Sequence, residues 1–84
     1  MDPEVHATLG EAMSQLNQRE EAAEHFEDAI RLNPKQIEWR LALAKTYIDS
    51  MKEDKAQTVL MELLEIQPDH EEAAALLGSL KSDE

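Results

Sequence analysis

The groups in this chain with chemistry to offer are three histidines and a surplus of carboxylates. Metal binding by histidine needs side chains that converge on one ion, most simply from positions three or four apart on one helix. His6, His25 and His70 fall in separate segments, and no two of them keep that spacing; Glu21, four residues before His25, is a weak companion. Each histidine therefore reads as structural, and no metal is expected. Adjacent carboxylates occur at Glu20-Glu21, Glu27-Asp28 and Glu71-Glu72. General acid–base catalysis would need one of them in a pocket that shifts its pKa. The chain has no glycine-rich phosphate loop, no nucleophile elbow and no calcium-loop spacing. It has no cysteine, which excludes disulfides, thiolate catalysis and cysteine-ligated zinc. Neither a catalytic residue nor a cofactor is expected.

The bulk composition points the same way. The 84 residues carry a formal net charge of −11, with 42% hydrophobic and 32% charged residues. That is a globular balance for one small domain. Phosphate backbones and anionic lipid surfaces repel such a chain, so neither nucleic acid nor membrane is an expected partner. Basic proteins are favoured, chiefly through association rate. No apolar stretch is long enough to span a bilayer and no signal peptide opens the chain, so a soluble chain, cytoplasmic by default, is expected. The abrupt acidic start suggests an excised domain.

Five helices would position these groups. Asp2-Pro3-Glu4 reads as a helix start, with Asp as cap, Pro at the first helical position and Glu in the first turn. Val5, Leu9, Ala12, Met13 and Leu16 then recur at the spacing of one helical face, until Asn17-Gln18-Arg19 breaks the pattern. A second stripe runs through Ala22, Ala23, Phe26, Ala29, Ile30 and Leu32 and stops at Asn33-Pro34, since proline disfavours helix in the residue before it. The third segment carries Ile37, Leu41, Ala44, Tyr47 and Ile48, with Trp39 and Leu43 nearby. The fourth starts near Asp54 and closes at Gln67-Pro68. Asp69 is the expected cap of the fifth, with Glu72 completing a capping box. This helix shows Ala73, Ala74, Leu76, Leu77 and Leu80 before a polar ending at Lys81-Ser82-Asp83-Glu84. The connections are short and no strand pattern appears, so neighbouring helices should run antiparallel.

The segments repeat every 34 residues. Pro34 shifts onto Pro68 and Ala22 onto Ala56; Leu9 shifts onto Leu43 and Leu77, and Gly10 onto Ala44 and Gly78. Met13 meets Tyr47, Phe26 meets Leu60, Ile30 meets Leu64, and Leu32 meets Ile66. Small residues return where helices must approach closely and bulky ones where space must be filled. A 34-residue helix–turn–helix period with Leu-Gly, a tyrosine slot, then Ala, an aromatic and Pro resembles the tetratricopeptide repeat. The first aromatic slot departs from that pattern, holding His6, Arg40 and Ala74, while Trp39 sits one residue early and reads as packing in the seam. The resemblance implies an all-α, right-handed α-solenoid forming a single domain over residues 1–84. Repeat one would cover 3–36, repeat two 37–70, and a C-terminal capping helix 71–81.

Members of that family bind extended peptides or helices in a concave groove lined by the first helix of each repeat. By resemblance, the groove-facing residues are Glu4, Ala7, Glu11, Ser14 and Gln15 on the first helix, and Glu38, Leu41, Lys45, Ile48 and Asp49 on the third. Glu72, Ala75 and Ser79 follow on the fifth. The carboxylates give an acidic rim, and Leu41 with Ile48 an apolar patch, so the expected partner is a protein or peptide with basic residues around an apolar anchor. Relatives that bind acidic C-terminal tails grip them with lysine, arginine and asparagine. The matching places here are Ala7, Glu11, Ala42, Glu72 and Leu76, which cannot hold a carboxylate, so such tails are not expected partners. Met13 reads as core, Met51 as a loop residue and Met61 as lying on the convex side. The alternative is a structural element that self-associates, or a fragment of a longer array, through the leucine-rich fifth helix.

Overall fold

Asp2 opens the first helix as its residue type dictates: its carboxylate accepts a hydrogen bond from the Glu4 backbone N–H at 3.0 Å, and Pro3 follows at the first helical position. The structure, a computed structural model, describes residues 2–81; Met1 and the expected polar ending at Ser82, Asp83 and Glu84 lie outside the described residues. Five helices follow in order: α1 (Pro3–Gln15), α2 (Arg19–Leu32), α3 (Ile37–Asp49), α4 (Glu53–Ile66) and α5 (Glu71–Lys81). No strand occurs among the described residues. No helix among them is long and apolar enough to cross a membrane.

The period is written into the backbone as well as the side chains. Asn17 and Met51, one repeat apart, both adopt left-handed conformations, at φ 63° and φ 65°. After each, a backbone N–H reaches back to close the preceding helix: Gln18 donates to Met13 and Lys52 to Tyr47, both at 2.8 Å. This closure satisfies carbonyls that a helix end leaves open. Asn33 and Gln67, each before a proline, end α2 and α4 in non-helical conformations. Asp2 shifted by the same interval lands on Gln36 and then on His70, and each stands just before a helix. The expected Asp69 cap is therefore corrected. His70 caps α5, its Nδ1 accepting a hydrogen bond from the Ala73 N–H at 3.1 Å.

Each helix packs mainly on its neighbours in sequence, giving a slab of 38 × 26 × 16 Å. The main core gathers Phe26, Leu43, Tyr47, Val59, Leu60 and Leu63 around the fully buried alanines 22, 44, 56 and 73. Such alanines let helix backbones approach closely. Gly10 does the same for α1: a Cβ there would lie 3.0 Å from the Phe26 ring. A second, smaller cluster holds Ala7, Ala29 and Trp39 at the junction of α1, α2 and α3, which places Trp39 in the seam as expected.

The apolar stripe of α1 is a second correction. Its buried residues are Ala7 and Gly10, whereas Val5, Ala12 and Leu16 are exposed. Leu9 is 36% exposed, against 4% for Leu43 in the same slot of the next repeat. The reason is positional: α2 covers the matching face of α3, and no described helix precedes α1.

A candidate groove and a histidine cluster

The groove between α1 and α3 is where the predicted residues meet. Glu11, Ser14 and Gln15 from α1 and Lys45 and Asp49 from α3 line one depression of about 330 Å³, floored by Ala42, Thr46 and the Phe26 ring. Thr46 is buried there because its hydroxyl donates to the Ala42 carbonyl of its own helix at 2.9 Å. Helical spacing explains the convergence. Residues 11, 14 and 15 share one face of α1, residues 45 and 49 share one face of α3, and short turns set the two helices side by side.

The remaining predicted residues are distributed around it. Glu4 and Glu38 are exposed in the first turns of α1 and α3, and Ala75 and Ser79 are exposed on α5. Leu41 and Ile48 are half-buried against the main core, so their apolar surface serves packing as much as any groove. Ala7 is buried beside Trp39 and Ala29 and offers no surface; it belongs to the junction and not to the groove. Alanine is small enough to suit either side of a helix, and the reach of the indole decides which.

Charge in the groove is one-sided. Lys45 Nζ lies 2.7 Å from Glu72 Oε2, a pair that ties α3 to α5. That contact, first by hydrogen bonding and then by charge, holds the Glu72 carboxyl below the usual carboxylate range. No cation among the described residues pairs with Glu4, Glu11, Glu38 or Asp49. Other basic side chains are engaged elsewhere: Arg40 Nη2 donates to the Pro34 carbonyl at 2.8 Å, Lys52 faces Glu20, and Lys55 lies over the Tyr47 ring.

A second hollow, between α2, α3 and α4, is lined by Glu27, Arg40, Tyr47, Lys55 and Glu62 among others. There the Tyr47 hydroxyl donates to the Glu27 carboxylate. Burial first, then the Glu27 hydrogen bond and charge, push the Tyr47 pKa well above its ordinary value. The phenol therefore stays protonated and donating at neutral pH.

Packing also joins two histidines that the sequence separates. His6 on α1 and His25 on α2 stack with ring centroids 5.7 Å apart and planes at 30°. Asp28 stands beside them, its Oδ2 4.0 Å from His6 Nδ1. A sequence signal was available: His25 and Asp28 are three apart on one face of α2. A search for histidine pairs on single helices overlooks a carboxylate partner and a ring contributed by the next helix.

Residues 15–80 match the family model of the tetratricopeptide repeat. No curated protein matches the chain.

Proposed function

The chain belongs to the tetratricopeptide repeat family, whose repeats mediate protein–protein interaction, and from that premise we propose a module that holds a basic, apolar-anchored peptide or helix between α1 and α3. The module is a single domain with repeats at 3–36 and 37–70 and a closing helix at 71–81. The observation that supports this reading is the depression lined by Glu11, Ser14, Gln15, Lys45 and Asp49. It draws its walls from corresponding helices of the two repeats, and its carboxylates outnumber its one lysine. A guest places lysine or arginine against Glu11 and Asp49 and an apolar side chain toward Ile48. The family is a non-catalytic repeat, and no reaction is assigned to the chain.

The test is titration of a labelled peptide carrying a leucine flanked by arginines, followed by fluorescence anisotropy. Affinity is expected to fall as salt rises, because the contacts are between charges. The pair Glu11→Lys and Asp49→Lys, both at exposed positions, should remove binding without altering helix content. Binding that persists in that double variant rules out this groove. Substituting Leu41 or Ile48 is a poorer probe, since both also support the core.

A second reading rests on the exposed strip Val5, Leu9, Ala12 and Leu16, which occupies the slots that α2 covers on α3. It makes α1, together with the leucines of α5, a stacking edge for a further repeat or a second copy. Sedimentation should then show concentration-dependent association that Leu9→Glu or Leu80→Glu weakens. A monomer at every concentration removes the self-association half of this reading.

A further inference from the structure

We propose that His6, His25 and Asp28 form a binding site for one divalent transition-metal ion of the zinc type, which clamps α1 to α2. Each of the three offers one ligand atom, and these atoms lie within 4.8 Å of one another. In a tetrahedral site with bonds of about 2.0–2.2 Å, ligand atoms stand roughly 3.3–3.6 Å apart. Side-chain rotation of about an ångström closes the set, without movement of either helix. The Nδ1 atoms of both His6 and His25 are buried and have no hydrogen-bond partner. Two desolvated, unpaired ring nitrogens are costly unless something satisfies them. A proton shared with Asp28 does not, since 4.0 Å between His6 Nδ1 and Asp28 Oδ2 is too long for a hydrogen bond.

The surroundings suit a metal. Arg31 holds the other Asp28 oxygen, Oδ1, at 2.8 Å and fixes the carboxylate from behind, which is the outer support that ligating carboxylates need. The His6 and Asp28 side chains are 16% and 34% exposed, so an ion has a route in and water can complete its coordination. Two imidazoles and one carboxylate suit zinc, cobalt, nickel or copper. Magnesium and calcium, which demand oxygen ligands, are excluded by the same donor set. The third histidine is not part of the site, because His70 Nδ1 is occupied by the Ala73 N–H. The surplus of negative charge favours cation capture generally, so the experiment must separate this site from diffuse binding.

Calorimetric titration of the tag-free, chelator-treated chain with zinc chloride should reveal one ion per chain, and magnesium should not compete. His6→Asn and His25→Asn should each weaken zinc binding by at least about tenfold, while His70→Ser leaves it unchanged. Cobalt should give visible absorption bands that saturate at one equivalent and are displaced by zinc. NMR of the wild-type imidazoles supplies a readout that no folding defect can confuse: zinc should move the ring signals of His6 and His25 and spare those of His70. Equal movement of all three rings, or zinc affinity intact in the His6→Asn, His25→Asn double variant, overturns the site.

Discussion

Where one repeat meets the next, the molecule solves the same packing problem twice with opposite side chains. At the first junction the slots hold Ala7, Ala29 and Trp39, two small residues around one large. One period later the same slots hold Leu41, Leu63 and Ala73, two large residues around one small. Leu63 and Ala73 are fully buried, and Trp39 nearly so. The hairpin interiors trade in the same way: Gly10 faces the Phe26 ring in the first, whereas Ala44 and Leu60 occupy those slots in the second. Total volume at a junction is what the fold constrains, and residue identity at a slot is free to vary when its neighbours compensate.

The largest expected effect tests this exchange directly. Trp39→Ala should cost about 3–5 kcal/mol in chemical denaturation, enough to unfold much of a domain this small. Adding Ala7→Leu and Ala29→Leu, which copies the second junction into the first, should recover more than half of that loss. A triple variant no more stable than Trp39→Ala alone breaks the idea of exchanged volume. A smaller effect separates two glycines that share a slot. Gly10→Ala should cost about 1–3 kcal/mol, because the new Cβ would press on Phe26. Gly78→Ala, with nothing within 4 Å of its Cβ, should gain about 0.5–1 kcal/mol from helix propensity. Destabilisation at both positions, measured by urea midpoint, would show that α5 is covered after all. The smallest effect compares the left-handed residues Asn17 and Met51. Methionine is strained in that conformation and asparagine tolerates it, so Met51→Asn should gain and Asn17→Met should lose about 0.5–1 kcal/mol. Opposite signs in thermal melts sharpen the comparison, and matching signs dissolve it.

These paired slots also mark how far the sequence could be read. The five helices, their breaks at Asn17, Pro34 and Pro68, and the 34-residue interval were legible because local signals and size patterns agree. That residues 11, 14, 15, 45 and 49 line one depression was legible for the same reason, since it follows from helical spacing and the stacking of like helices. Ala7 was not, because its burial depends on the indole of a residue 32 positions away. Nor was the outward stripe of α1, since Val5, Leu9 and Leu16 have the composition of a core and lack only the helix that would cover them. The capping role of His70 was within reach, since Asp2 shifted by two periods lands on it, but Asp69 has the more familiar capping side chain. His6 and His25 are joined by tertiary packing alone.

Because the main helix packing joins neighbours along the chain, most of the assembly is rewarded without first closing a long loop. Such a topology places the chain among fast folders, on the microsecond-to-millisecond scale of helical proteins. Nucleation can begin in either hairpin and spread along the array. Hydrogen exchange should accordingly be slowest in α2, α3 and α4, each flanked on both sides, and fastest in α1 and α5.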